Sequence, residues 1–328
     1  MNKIDHWLIK GGFIKMEKAI VLGATGAMGY ALVHRLQSSG VKTYAYCRHL
    51  NRAKELFGDL NHVEVIEGDV RDTIRLEQAM KEVDITFVSL NIPYQKWSRE
   101  LLPLFEEVFK VAFATKTKVA VVDNIYSYKT NEQLITEDTP REPETNKGKL
   151  RKELYLNMQA WMKKGLSIVI AHFPDFYGPH ADNTMLQQTI QTALAGKRPL
   201  YLGPMNKKRE FIYTFDGADA LITLAMDETA YQQSWNIPGT KPENGQEIIS
   251  ILQRLTGNTK KPFVVRKPMI RFLGFFSPFM RELTEMMDLT ENPVFLDGTK
   301  YEQAFVPRVS TSFDEGLRQV IKQMQKPT

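Results

Sequence analysis

Apolar and polar positions follow two alternating periods along the first half of the chain. Runs of consecutive apolar residues such as Ala19 to Leu22 and Val119 to Val122 are short and bounded by polar residues or glycine, as in strands buried on both faces. Between them, apolar positions recur at helical spacing, as in Tyr30 to Leu36. This patterning predicts strands over 18–22, 43–46, 63–66, 85–89, 119–122 and 166–171. It predicts helices over 27–38, 52–57, 73–81, 96–115 and 148–163. Strand and helix in strict alternation argue for a parallel α/β sheet covered on both faces. After Tyr177, Gly178 and Pro179 the elements shorten and are separated by Pro and Gly. The expectation is a main domain over 16–178 and a smaller C-terminal α/β substrate lobe over 179–328, whose strands can return to the main sheet. Residues 1–15 read as a disordered extension outside the fold.

The connection after the first strand carries the most chemistry. Gly23, Gly26 and Gly29 punctuate a turn between an apolar run and a helix, which specifies a doubly wound, Rossmann-type sheet that binds a dinucleotide. Gly23 permits a tight turn, Gly26 lets backbone approach a phosphate, and Gly29 lets helix pack on strand. With Thr25, Ala27 and Met28 these residues form the expected cofactor cradle at a helix N-terminus. At the end of the second strand an acid would take a ribose hydroxyl, yet the chain offers Arg48 and, one helical turn on, Arg52. That substitution favours NADP over NAD. The competing reading makes both arginines solvated residues at a helix start. Asp69 and Val70 follow the third strand, where an aspartate accepts from the adenine amino group, unless Asp69 instead caps the next helix. Leu90 and Asn91 follow the fourth strand, and are expected to line cofactor and substrate respectively.

Composition narrows the function classes. With 43% hydrophobic and 25% charged residues among 328, the chain has ample core and no apolar run long enough to span a bilayer. The formal charge of +5 is spread among acids without interleaved aromatics, so neither nucleic acid nor membrane is an expected partner. A lone cysteine, Cys47, excludes an internal disulfide and fits a reducing cytoplasm, and no Cys/His cluster has metal-ligand spacing. A small-molecule substrate is expected, and a homodimer stays open.

The glycine turn, Gly68-Asp69-Val70, the run Pro174 to Pro179, and Phe211 to Ala220 with Asp216 and Asp219 together resemble the short-chain dehydrogenase/reductase superfamily. The resemblance is to its extended branch, the nucleotide-sugar epimerases and dehydratases, and it spans about 16–323. It implies an NAD(P)-dependent oxidoreductase or epimerase. In that family a tyrosine four residues before a lysine exchanges the proton while hydride moves, the lysine lowering the phenol pKa. None of the twelve tyrosines here is followed by lysine at the fourth position. Lys147 stands where the resemblance places the tyrosine and Arg151 where it places the lysine. Arginine can hold a ribose or phosphate but cannot shuttle a proton. Asn124 stands at the family's serine, with Tyr126 and Tyr128 just beyond, so the chain is similar to an atypical epimerase-like subgroup lacking the Tyr-x-x-x-Lys pair.

The catalytic candidates are therefore Asn124, Tyr126, Tyr128, Lys147 and Arg151. Lys147, Arg151 and Tyr155 recur every four residues and share a helix face, either a desolvated site or a solvated basic surface. Tyr177 is a substrate candidate, and Arg209 aligns with a family arginine that meets a nucleotide-sugar phosphate, with a basic turn as its alternative. His172 reads as structural, and Asp216 as the cap of the helix that follows. Residues 268–287, rich in Phe and Met, read as core, with a substrate lid or dimer surface as the sharper option. Two functions follow: an NADP-binding epimerase/dehydratase-like oxidoreductase acting on a small carbonyl or hydroxyl substrate such as a nucleotide sugar, or an NADP-binding redox sensor that regulates a protein partner without turnover.

Overall fold

A computed structural model describes residues 14–129, 134–182, 184–305 and 310–325. The expected N-terminal extension falls outside these residues except for Ile14 and Lys15. Ile14 donates its backbone N–H to the Met226 carbonyl at 2.8 Å.

The chain begins with β1 (Lys18–Leu22), α1 (Ala27–Ser38), β2 (Lys42–Cys47), α2 (Leu50–Phe57) and β3 (Val63–Glu67). It continues through α3 (Thr73–Met80), β4 (Ile85–Val88), α4 (Trp97–Thr115), β5 (Lys118–Asn124), α5 (Asn146–Lys163) and β6 (Ile168–Phe173). Later α6 (Thr214–Ala225) crosses to β7 (Gln233–Asn236). These strands form one seven-stranded sheet in the order β7-β6-β5-β4-β1-β2-β3, with every pairing parallel. The strand order turns back between β1 and β4, so the crevice beyond their carboxyl ends is the switch point where such sheets take ligands.

Each strand alternates between two cores. Ala19, Val21, Phe87, Val169 and Ala171 pack under α1 and α6, while Ile20, Leu22, Val88, Val121 and Ile170 pack under α3, α4 and α5. β7 escapes the sequence pattern because Gln233, Ser234 and Asn236 surround a single large apolar residue, Trp235. A third core, with Tyr177, Tyr201, Phe211, Tyr213, Ile248, Leu252, Phe313 and Leu317, holds the C-terminal lobe together.

Two cap readings, the alternative one for Asp69 and the expected one for Asp216, are corrected. Asp72, not Asp69, caps α3 by accepting from the Arg75 N–H at 3.1 Å; Asp69 accepts from the Arg71 N–H instead. Asp216 lies inside the first turn of α6, where its carboxylate accepts from the backbone N–H and hydroxyl of Thr311 at 2.6 and 2.7 Å. It therefore ties the distant 311 segment to the helix. The stretch 268–287 is not simply core. Ile270, Met286 and Met287 are buried, whereas Phe272, Phe275 and Phe276 are 63–79% exposed.

Candidate active site at the carboxyl ends of the sheet

The glycine turn has the shape a pyrophosphate requires. Gly23 sits at φ 80°, and a Cβ there would lie 2.5 Å from the Ser89 carbonyl oxygen. A Cβ on Gly29 would lie 2.2 Å from the Gly23 carbonyl oxygen, so the first turn of α1 packs onto the strand end as only glycine allows. Gly26 is exposed, and a Cβ there meets nothing nearer than 3.3 Å. It is the glycine that faces outward. α1 carries no acidic residue in its first turn and no side-chain cap, so its leading N–H groups and positive dipole end stay open to an anion. Thr25 and Ala27 flank the turn part-buried, while the Met28 side chain is in the core, leaving only its backbone to serve a ligand.

The remaining cofactor candidates ring the same edge. Arg48 is exposed just past β2, whereas Arg52 is engaged with Glu55 at 2.9 Å and Asp182 at 3.4 Å. Val70 is buried and Leu90 part-buried. Glu67, which sequence reasoning passed over, is the register partner of Cys47 and places an acid beside the end of β2.

The β5 and α5 candidates converge on a second corner of the crevice. Asn124 ends β5, and its side-chain oxygen accepts from the Tyr126 N–H at 3.0 Å, capping a short 3-10 turn. Its amide is left to face other groups. The Tyr126 hydroxyl lies 3.4 Å from that of Tyr94. Burial, reinforced by Tyr94 and Asp175, holds the Tyr126 phenol well above its ordinary range, so it stays protonated. Tyr128 turns away into a small cluster with Ile125, Ile135, Val294 and Leu296, and burial pushes its phenol to about 12.

α5 starts from a Thr145 cap, whose hydroxyl accepts from the Gly148 N–H. Lys147 and Arg151 are buried, at 4% and 5% exposure, which rules out a solvated basic face for them. Lys147 pairs with Glu282, and Glu285 accepts from the Lys147 N–H and the Asn146 side-chain amide, both at 3.2 Å. Both glutamates belong to α7 (Pro278–Met286), which thus closes over the start of α5. Arg151 Nη1 lies 3.4 Å from Asp123 Oδ1, with its guanidinium 4.4 Å from the centre of the Trp97 ring. Asp123, Glu282 and Glu285 carry no local motif; strand register and a distant helix bring them here.

Two further substrate candidates, Arg209 and Tyr177, are engaged with other protein groups. Arg209 is buried against Asp175 at 2.5 Å and forms no exposed turn. Tyr177 is buried in the lobe core with its ring centre 4.7 Å from that of Phe313. Asn91 is exposed and its side-chain oxygen accepts from the Ile92 N–H. Among the described residues no cluster of His, Cys, Asp and Glu could hold a metal ion, and no helix is long and apolar enough to cross a membrane.

Comparison with known proteins agrees with this geometry. Residues 23–129 match the family model described as NAD(P)H-binding, and residues 128–237 match that of the NAD dependent epimerase/dehydratase family. A search of curated proteins found no match. Among solved structures, UDP-glucuronic acid 4-epimerase from Bacillus cereus in complex with NAD superposes with a TM-score of 0.78 at 17% identity, over 94% of this chain and 100% of that one. UDP-glucose 4-epimerase from Thermotoga maritima gives 0.78 at 16% identity, over 94% and 98%. dTDP-glucose 4,6-dehydratase from Bacillus anthracis gives 0.77 at 17%, over 94% and 96%. The fold is theirs. The chain thus matches an NAD(P)H-binding model that runs directly into an NAD dependent epimerase/dehydratase model, on the Rossmann-type α/β fold of these solved structures.

Proposed function

We propose that the protein is an NADP(H)-dependent oxidoreductase that interconverts a carbonyl and a hydroxyl on a small substrate, with nucleotide sugars, the substrates of its structural neighbours, as the first class to try. The observation that carries this reading is the buried Lys147, which sits beside Tyr94 with its ammonium 5.5 Å from the ring centre and is paired to Glu282. From there its ammonium can donate a hydrogen bond to a substrate oxygen, with the Glu282 carboxylate beside it as the partner for proton exchange. Bound along the glycine turn, the nicotinamide cofactor supplies or accepts the hydride. Asn124 donates its amide hydrogens to the substrate oxygen, as a polarising group that never titrates. Tyr126, held as a neutral phenol, donates a second hydrogen bond to the same region. Arg151 holds a ribose hydroxyl or phosphate, and Arg48 selects the 2'-phosphate of NADP through a planar, charge-assisted contact.

The test combines fluorescence titration with NADPH and NADH and a screen of carbonyl substrates, nucleotide ketosugars among them, for cofactor oxidation. Turnover should appear with at least one substrate and fall on the order of a hundredfold or more in Lys147→Ala, the usual contribution of a positioned acid. Turnover that survives unchanged in Lys147→Ala, Tyr126→Phe and Asn124→Ala contradicts the assignment. The sensor reading is favoured by one feature: α7 holds Lys147 through Glu282 while Phe275 and Phe276, just ahead of it, are exposed. Tight NADPH binding with no turnover on any substrate would select it.

A further inference from the structure

Behind Arg151 lies a row of polar groups in an otherwise apolar sheet. Asp123 on β5, His172 on β6 and Asn236 on β7 are register partners, so their side chains leave the sheet on one face, side by side. All three are at most 2% exposed. Buried polar groups in a sheet core cost stability unless they are mutually satisfied, so the row requires an explanation.

The contacts give it a direction. Arg141, from the loop ahead of α5, is buried and donates from Nη2 to His172 Nε2 at 2.8 Å and from Nη1 to the Ser127 hydroxyl at 2.7 Å. Its guanidinium is clamped between the rings of Tyr155 and Tyr128, with centres 3.6 and 4.3 Å away. A guanidinium only donates, so His172 Nε2 must accept, and the imidazole proton resides on Nδ1. Nδ1 lies 3.2 Å from Asp123 Oδ2, close enough for attraction though off the line of a good hydrogen bond. The other carboxylate oxygen of Asp123 faces Arg151. Arg141 thus fixes the tautomer of His172, His172 turns a proton toward Asp123, and Asp123 turns its negative charge toward Arg151. Burial would raise the Asp123 carboxyl, but His172, Arg151 and Arg141 outweigh it and hold the group ionised.

We propose that Asp123 and His172, braced by Arg141, are positioning residues that hold the Arg151 guanidinium at the crevice in the orientation in which it meets a nicotinamide dinucleotide. The assignment rests on the proposed role of Arg151 as the residue that holds ribose or phosphate. Asp123 supplies the counter-charge that the buried Arg151 guanidinium requires, and so fixes where that guanidinium lies.

The experiment is a double-mutant cycle read as the dissociation constant for NADPH, with the melting temperature followed in parallel. Arg151→Ala and Asp123→Asn should each weaken NADPH about tenfold, and the double variant should bind no worse than Arg151→Ala alone, because the two act through one contact. His172→Asn, which keeps a donor near the Nδ1 position, should retain affinity, whereas His172→Leu should lose it. Additive losses in the double variant, or equal affinities in His172→Asn and His172→Leu, overturn the proposal. If Asp123→Asn does not fold, the two His172 variants carry the same comparison. If Arg151→Ala binds NADPH as tightly as the parent, the role of Arg151 fails, and the positioning is judged on the free protein by 15N NMR. There the proposal expects an Nδ1–H imidazole at His172 and slow exchange of the Arg151 guanidinium protons that His172→Leu abolishes; an Nε2–H imidazole or unchanged exchange overturns it.

Discussion

The two corners of the crevice are built from different materials. At the β1–α1 turn the protein offers backbone: three glycines, the open N–H groups of α1 and no acid nearby in the helix. At the β5–α5 corner it offers charged side chains, each already engaged, with Lys147 on Glu282, Arg151 on Asp123 and Arg141 on His172. A backbone site is fixed by clash distances and leaves little room for variation. A side-chain site can be rebuilt by substitution while the fold stays the same.

The contrast breaks first at the glycines. Gly26→Val should leave folding nearly intact while lowering NADPH affinity on the order of a hundredfold, about 2.7 kcal/mol, since its side chain fills the phosphate approach. Gly29→Val should lower the melting temperature as well, because its Cβ would meet the Gly23 carbonyl oxygen at 2.2 Å. If both variants melted alike, the distinction between a ligand-facing and a packing glycine would be wrong. On the side-chain corner, Glu282→Gln should reduce turnover about tenfold or more without changing NADPH affinity, separating proton handling from binding in a steady-state and titration comparison.

What could be read from the chain follows the same division. The glycine turn, six of the seven main strands and the shared face of Lys147, Arg151 and Tyr155 are local patterns, visible because helix and strand periods are local. Lys147 and Arg151 were identifiable by position, but not their partners. Asp123 and His172 are joined only by the β5–β6 register, and Glu282 arrives from α7, within a Phe- and Met-rich stretch that reads as core. Arg209 read as a turn or a phosphate ligand because nothing near it in sequence announces Asp175.

A smaller effect concerns the choice of cofactor. Arg48→Glu should shift the ratio of NADH to NADPH affinity about tenfold toward NADH by removing a charge-assisted contact and adding repulsion. Glu67→Gln should move it the opposite way if the acid beside β2 opposes the phosphate. Competitive titrations measure both.

The smallest effect is on stability against pH. Burial, then the charge of Arg141, lowers the His172 pKa below 6.5 against the pull of Asp123, so the fold holds the ring neutral. As pH falls below 6.5 the unfolded chain takes up a proton that the fold refuses, and stability declines. His34, lowered by burial and by His180 to about 4, adds a decline of the same sign. Thermal melts from pH 7.5 to 5.5 should therefore fall, and His172→Asn should remove a share on the order of 1 kcal/mol. A His172→Asn variant with the parent's slope would mean the imidazole titrates freely.

The most direct test of the side-chain corner is a crystal structure with NADP bound. The account predicts Arg151, still on Asp123, in contact with a ribose or phosphate oxygen, and Lys147 the titratable group facing the nicotinamide end. A nicotinamide face lined only by apolar groups, with Lys147 and Arg151 out of reach of the cofactor, would contradict it.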